Sequence, residues 1–319
     1  MSLSLAGPRS ARLVVALAAL LLFAGGCRNI LGYVATPFVY DEVPIAAALV
    51  KRDVPYRLGD DADAEKHRLD LFLPDAADAG EGWPIVVFVH GGGWTSGDRG
   101  YTVGGADIYG NFGRYLASHG IGAAVISYRL QFDVDWTDQV EDVARALAWV
   151  QAHAASYGGD PDAVFLMGHS AGAQLASFVA FDPGTADAHG AGRVCGVIPV
   201  SGAGYDLADE ATYEQGARLS YYERRFRVAD EAWQQEASVI PRIHGDAPPA
   251  LVLYAEHDWD ALRHQAALLE QALTDAGATA RLQRVEGRNH YTVLLALTDE
   301  AGPSVVDFVH NTECGGSAS

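Results

Sequence analysis

Cysteine is scarce in this chain, with three in 319 residues. That is too few for a disulfide framework or a Cys-rich zinc site. Cys195 sits in the apolar run 194–200 and reads as a small buried hydrophobe, while Cys314 lies in a polar tail. A Cys195–Cys314 bridge is open in an oxidising compartment, but the sequence does not fix the distance. Basic side chains are also in short supply: 22 Lys and Arg stand against 41 Asp and Glu, a formal net charge of −19. Nucleic acid is therefore a poor partner, because phosphate binding needs a basic face. The acidity itself reads as solubility, with weak repulsion of anionic substrates as a corollary. No His-Glu-x-x-His is present and the histidines are scattered, so no metal site stands out. The glycine run at 91–93 is not followed by Gly-Lys-Ser/Thr, and no Gly-x-Gly-x-x-Gly spacing fits, which argues against a phosphate loop. Internal repeats are lacking too.

Apolar residues are plentiful, at 49% of the chain, so a sizeable core is expected and whole-chain disorder is not. The length suits one large α/β domain with appendages or two small domains. Residues 1–26 read as a signal peptide. Arg9 and Arg12 precede an apolar run over 13–24, followed by Gly25-Gly26-Cys27. A run of about 12 residues is short of the roughly 20 that span a bilayer. Residues 24–27 resemble a bacterial lipobox, with Ala24 where that motif more often has Leu. This makes Cys27 the candidate lipidation site and implies export with a lipid anchor; ordinary secretion, an uncleaved anchor and a buried helix are the other readings. Residues 27–50, broken by Pro37 and Pro44, read as a tether. The domain body is expected over 51–311, with a flexible tail at 312–319.

Within the body, strands are expected at 54–57, 67–74, 84–89, 121–128, 164–169, 194–200, 249–254 and 280–285. Helices are expected at 108–119, 136–153, 262–273, 293–297 and 305–310, with a loop at 75–82 and a turn at 158–161. Strands alternating with helices call for a mostly parallel sheet covered on both faces, an α/β fold. One region breaks the alternation. Residues 204–245 hold Tyr205, Tyr213, Tyr221, Tyr222, Phe226 and Trp233 among many charges, a composition that fits either exposed amphipathic helices or a cap over a cleft.

The chemistry centres on 164–174, where an apolar strand reaches Gly168-His169-Ser170-Ala171-Gly172 and passes straight into a helix. This is the setting of a nucleophile elbow, which needs glycine on both sides of a sharp turn. A serine hydroxyl needs a base, the base an orienting acid, and the tetrahedral oxyanion needs donors. Asp258, just after strand 249–254, is the candidate acid, with Glu256 and Asp260 as flanking substitutes. His290, after the last strand, is the candidate base. The chain order Ser170, Asp258, His290 fits this arrangement. The oxyanion donors are expected at the backbone N–H groups of Ala171, Gly92 and Gly93. His90 reads as a brace for the glycine loop and His169 as structural, while Trp94 is a candidate for lining the acyl pocket or, equally, a packed wall.

His90-Gly91-Gly92-Gly93-Trp94, Tyr157-Gly158-Gly159-Asp160-Pro161, Gly168-His169-Ser170-Ala171-Gly172-Ala173-Gln174, Asp258 and His290 together resemble the α/β-hydrolase superfamily. Within it the chain is similar to bacterial feruloyl/acetyl esterases, isoprenylcysteine methylesterases and kynurenine formamidases. The resemblance runs from about Asp53 to about His310. It implies an eight-stranded, mostly parallel sheet and hydrolysis of a small-molecule carboxylic ester through an acyl-enzyme, with no cofactor. Many relatives carry Val-Pro soon after the acid, where this chain has Trp259-Asp260-Ala261-Leu262, so Asp260 stays open as the acid. An aryl formamide or other amide as substrate, and a surface binding protein that keeps the fold without catalysis, are the other readings.

Overall fold

The computed structural model describes residues 41–226 and 232–314. The signal segment, the lipidation candidate Cys27 and most of the tether lie outside them. Among the described residues no helix is long and apolar enough to cross a membrane.

The expected sheet is present, in the order β1-β2-β6-β3-β7-β8-β9-β10. Its strands are β1 (Val50–Pro55), β2 (Arg68–Phe72), β3 (Trp83–Val89), β6 (Gly122–Ile126), β7 (Gly159–His169), β8 (Gly196–Val200), β9 (Ala250–Ala255) and β10 (Ala280–Val285). Two-residue strands β4 (Thr102–Val103) and β5 (Ala106–Asp107) pair separately as a small hairpin. Strand β2 runs antiparallel to both β1 and β6; every other pairing in the main sheet is parallel. The helices are α1 (Ala76–Ala79), α2 (Ile108–Ser118), α3 (Trp136–Tyr157), α4 (Ala171–Phe181), α5 (Pro183–Ala188), α6 (Glu210–Glu214), α7 (Leu219–Phe226), α8 (Trp233–Ala237), α9 (Asp260–Asp275), α10 (Val293–Ala296) and α11 (Gly302–Asn311).

Alternation along the strands divides the core in two. Ile85, Val87, Val89, Val164, Leu166 and Val252 face one side, against α3, α4 and α9. Val86, Phe88, Phe165, Met167, Leu251 and Leu253 face the other, against α2, α10 and α11. With both faces covered, the central strands are fully buried, which is why they read as unbroken apolar runs rather than alternating ones.

Three expectations need correcting. The turn read at 158–161 is confined to Gly158, the left-handed C-cap of α3 (φ 96°). Gly159 already pairs with Trp83 in the sheet, and a Cβ there would lie 2.8 Å from the Trp83 and Ile85 side chains. The loop at 75–82 holds the short helix α1, because the Asp75 carboxylate accepts from the Ala77 N–H at 3.0 Å. The tail read as free from 312 is held at Cys314 by a disulfide to Cys195, the pairing left open above. The end of the tether, in turn, lies on the domain. The Val43 N–H donates to Asn111 Oδ1 at 2.7 Å, and Val43 and Ile45 pack on the core.

Candidate active site

Strand order brings the reacting groups together. β3 and β7 are parallel neighbours in a register that pairs Val89 with Gly168. The loop after Val89 therefore emerges beside the one after His169. β9 and β10 are likewise parallel neighbours, with Ala255 opposite Val285, so the segments carrying Asp258 and His290 leave the same sheet edge. This is the carboxyl-end crevice where open α/β sheets place ligands.

Ser170 holds φ 55° and ψ −121°, a conformation that non-glycine residues rarely adopt and that costs of order 1–3 kcal/mol. The two flanking glycines make it possible. A Cβ on Gly168 would fall 2.2 Å from the Gly172 carbonyl oxygen, and one on Gly172 would fall 2.2 Å from that of Val89. The Ser170 N–H donates to Val200 O at 3.0 Å, anchoring the turn to β8. Ala171 then opens α4, so its peptide lies at a helix N-terminus.

His290 Nε2 stands 3.0 Å from Ser170 Oγ, and His290 Nδ1 stands 3.0 Å from Asp258 Oδ1. Asp258 and His290 are both 6% exposed. The two substitute acids are placed elsewhere. Asp260 is exposed and ion-paired with Arg263 on the first turn of α9, while Glu256 accepts from the Gly287 N–H at 2.8 Å. His169 packs between the glycine loop and His290, and its Nε2–H donates to the His290 carbonyl at 2.8 Å. Burial, then the neighbouring His290, takes the His169 imidazole down to about 3. At neutral pH it positions the His290 backbone without adding positive charge.

The glycine loop is braced from behind. The carbonyls of Gly91, Gly92, Gly93 and Trp94 are each bonded to another group. His90 Nδ1–H donates to Gly91 at 2.7 Å, Ser96 Oγ–H to Gly92 at 2.8 Å, Arg225 Nε–H to Gly93 at 2.9 Å and Gln139 Nε2–H to Trp94 at 2.8 Å. Gly92 (φ 123°) has no space for a side chain, since a Cβ would meet the Ser96 carbonyl oxygen at 1.9 Å. His90 is the expected brace. Its ring stacks on Tyr128 at 4.2 Å, and burial takes its imidazole down to about 4.

Of the two readings of Trp94, substrate binding needs correcting and the packed wall fits, because Trp94 is 1% exposed and lies behind the loop. Its indole N–H donates to Gln174 Oε1 at 3.1 Å, and its ring packs edge-on against Phe226 at 4.9 Å. Trp94 has φ 65°, and its bulk supports the loop from the core side.

Gly91 to Gly93, His169, Ser170 and His290 line an open cleft of about 520 Å³ whose walls include Tyr101, Tyr109, Tyr221, Trp259 and Tyr291. Of these five aromatics, Tyr221 was named only as one of many in the 204–245 region, and nothing in the sequence marks the Arg225 that stacks on it at 3.5 Å. Trp259 and Tyr291 carried a signal that went unused: each directly follows a candidate triad residue. No cluster of metal-ligating side chains occurs among the described residues.

Residues 69–273 match the model of the BD-FAE family. The chain belongs to that family. Two Mycobacterium tuberculosis relatives are the esterase LipQ, 32% identical over 77% of this chain and 58% of its own length, and the probable carboxylic ester hydrolase LipM, 33% identical over 60% of this chain and 45% of its own. The Arabidopsis thaliana isoprenylcysteine α-carbonyl methylesterase is 26% identical over 82% of this chain and 62% of its own length. The chain thus spans about half the length of the curated relatives it matches. An esterase of Pyrobaculum calidifontis superposes with a TM-score of 0.67 at 21% identity, covering 97% of this chain and 94% of the other. Esterase B from Lactobacillus rhamnosis gives 0.67 at 23% identity, over 94% and 97%. These two establish the α/β-hydrolase fold of this BD-FAE member.

Proposed function

We propose that this BD-FAE protein is a carboxylesterase that works through a Ser170 acyl-enzyme, with a small-molecule ester as substrate. The observation that carries this reading is the unbroken relay from Ser170 Oγ to His290 Nε2 and from His290 Nδ1 to Asp258 Oδ1, each link 3.0 Å. The esterase names of the relatives support the bond class.

His290 Nε2 takes the hydroxyl proton as Ser170 Oγ attacks the ester carbonyl carbon. The oxyanion is received by the N–H groups of Ala171, Gly92 and Gly93, two donors from a braced loop and one from a helix start. Asp258 holds Nδ1–H and stabilises the imidazolium. The tetrahedral intermediate then collapses, and His290 gives its proton to the departing alcohol oxygen. Water enters, loses a proton to His290 and attacks the acyl carbon; a second collapse frees the carboxylic acid and returns the proton to Ser170. Each group is used twice, and no cofactor enters the scheme.

Ser170→Ala should reduce hydrolysis of p-nitrophenyl acetate by at least about 10⁴-fold, the scale seen when a triad nucleophile is removed. A fluorophosphonate probe should label the native protein and leave this variant unlabelled. Undiminished turnover in a folded Ser170→Ala protein would end the reading.

A further inference from the structure

We propose that Trp259 and Tyr291 form an alcohol-side subsite that takes the flat, apolar face of a ring on the ester's leaving group. The inference rests on the esterase reading above. In that reaction the departing oxygen must lie within hydrogen-bond reach of His290 Nε2 to receive its proton. Whatever the oxygen carries therefore lies on the His290 side of the cleft, and that wall is aromatic. The Trp259 ring leans on the His290 ring with centroids 4.5 Å apart and 31° between planes. Tyr291 stands edge-on to both, at 6.3 Å and 88° from Trp259 and at 5.3 Å and 85° from His290. Two rings at a right angle make a corner.

Both rings are on offer to a ligand. Trp259 is 56% and Tyr291 47% exposed, in a chain that buries Trp83, Trp94, Trp136 and Trp233 to 7% or less. Large aromatics left bare at the mouth of a cleft recover apolar contact when a ligand ring covers them. Their main chains are pinned by the site itself. The Trp259 N–H donates at 2.9 Å to Asp258 Oδ1, the same oxygen that faces His290, and the Tyr291 N–H donates at 3.0 Å to Asn289 Oδ1. The corner is thus set at a fixed offset from the proton that the alcohol collects. The cleft, at about 520 Å³, has room for a ring beyond the acyl group. An aryl ring and the C–H face of a pyranose present the same chemistry to such a corner.

The test holds the acyl group constant and varies the alcohol. Rates would be measured on ethyl acetate, phenyl acetate and a monoacetylated methyl pyranoside for the native protein and for Trp259→Ala, Trp259→Phe, Tyr291→Ala and Ser170→Ala. Trp259→Ala should lower kcat/KM on at least one ring ester about tenfold, the scale of one stacked aromatic, mainly through KM. Ethyl acetate should lose at least about fivefold less by the same reasoning. Trp259→Phe should recover most of the loss, and whether phenyl or pyranosyl acetate suffers more tells which ring the corner takes. An equal loss on all three esters would overturn the subsite, because the ring would then serve His290 rather than the substrate; so would no loss on any. Activity persisting in Ser170→Ala would instead strike the esterase reading, so the two failures are distinguishable.

Discussion

The elbow with its glycine loop and the aromatic insertion at 204–245 meet at Trp94, yet they are specified in opposite ways. In the first, a few backbone positions decide everything. Gly168, Gly172 and Gly92 have no space for a Cβ, and Ser170 is left in the only shape the turn allows. In the second, no single residue is decisive. Tyr205, Tyr222, Phe226 and Trp233 are all buried, and Phe226 alone touches Trp94, Trp136, Tyr222 and Trp233. Tyr221 is the one aromatic of the insertion on the cleft wall. The insertion is a packed layer that reaches the site through one ring and one guanidinium. Sterics concentrated at points leave a motif in the sequence; packing shared among many side chains leaves only a composition.

The sharpest way to test the point-determined region is to compare neighbouring carboxylates. Asp258→Asn should lower kcat about 10⁴-fold with the fold intact, since the amide cannot hold the required imidazole tautomer. Asp260→Asn, two residues on, should stay within about twofold, because its partner is Arg263 on the helix surface. Equal losses would mean that the acid is shared, and the relay drawn here would be wrong.

Stability tests the distributed region. Phe226→Ala should cost about 3–5 kcal/mol in urea unfolding, as for other buried aromatics cut to Ala. Leu219→Ala, on the same helix but 46% exposed, should cost under about 0.5 kcal/mol. If both variants unfolded like the native protein, the insertion would be a detached lid rather than part of the core.

Residue for residue, a smaller effect is expected on pH. His90 and His169 fall to about 4 and about 3 in the folded chain, against an ordinary 6.5. The unfolded chain therefore binds more protons below pH 6.5, and stability falls as pH drops from there toward 4. Each histidine should contribute about 2 kcal/mol of loss by pH 5. Asp142 acts in the same direction. Burial would raise its carboxyl, but hydrogen bonds from His67 and Arg129 outweigh that and hold it low, so protonation at still lower pH removes further stability. Urea midpoints at pH 7 and pH 5 should differ for the native protein and differ less for His90→Gln. A midpoint independent of pH in this range would contradict neutral burial of both rings.

Most of the architecture was legible. Runs such as 84–89 and 164–169 could only be strands buried on both faces, and the elbow announced itself through its glycines. The start of β7 was misread, because Gly158-Gly159-Asp160-Pro161 carries turn chemistry while Gly159 is held in the sheet by its fit against Trp83 and Ile85. The choice between the two readings of Trp94 was closed to the sequence for a related reason. Its side-chain partners, Gln174 and Phe226, are far away in the chain. The insertion's helices were invisible as elements, being only five to eight residues long.

By itself, then, the sequence pointed to the α/β class and singled out Ser170, Asp258 and His290 as candidates in that chain order. These depend on periodicity and on glycine, properties of residues close together in the chain. The tertiary structure put Asp258 rather than Asp260 at His290 Nδ1, joined Cys195 to Cys314 and turned Trp94 inward. It also set Trp259 and Tyr291 at a right angle beside His290. Each of those outcomes is a distance between segments far apart in the chain, fixed only once parallel strands have been laid side by side and their ends brought to one edge.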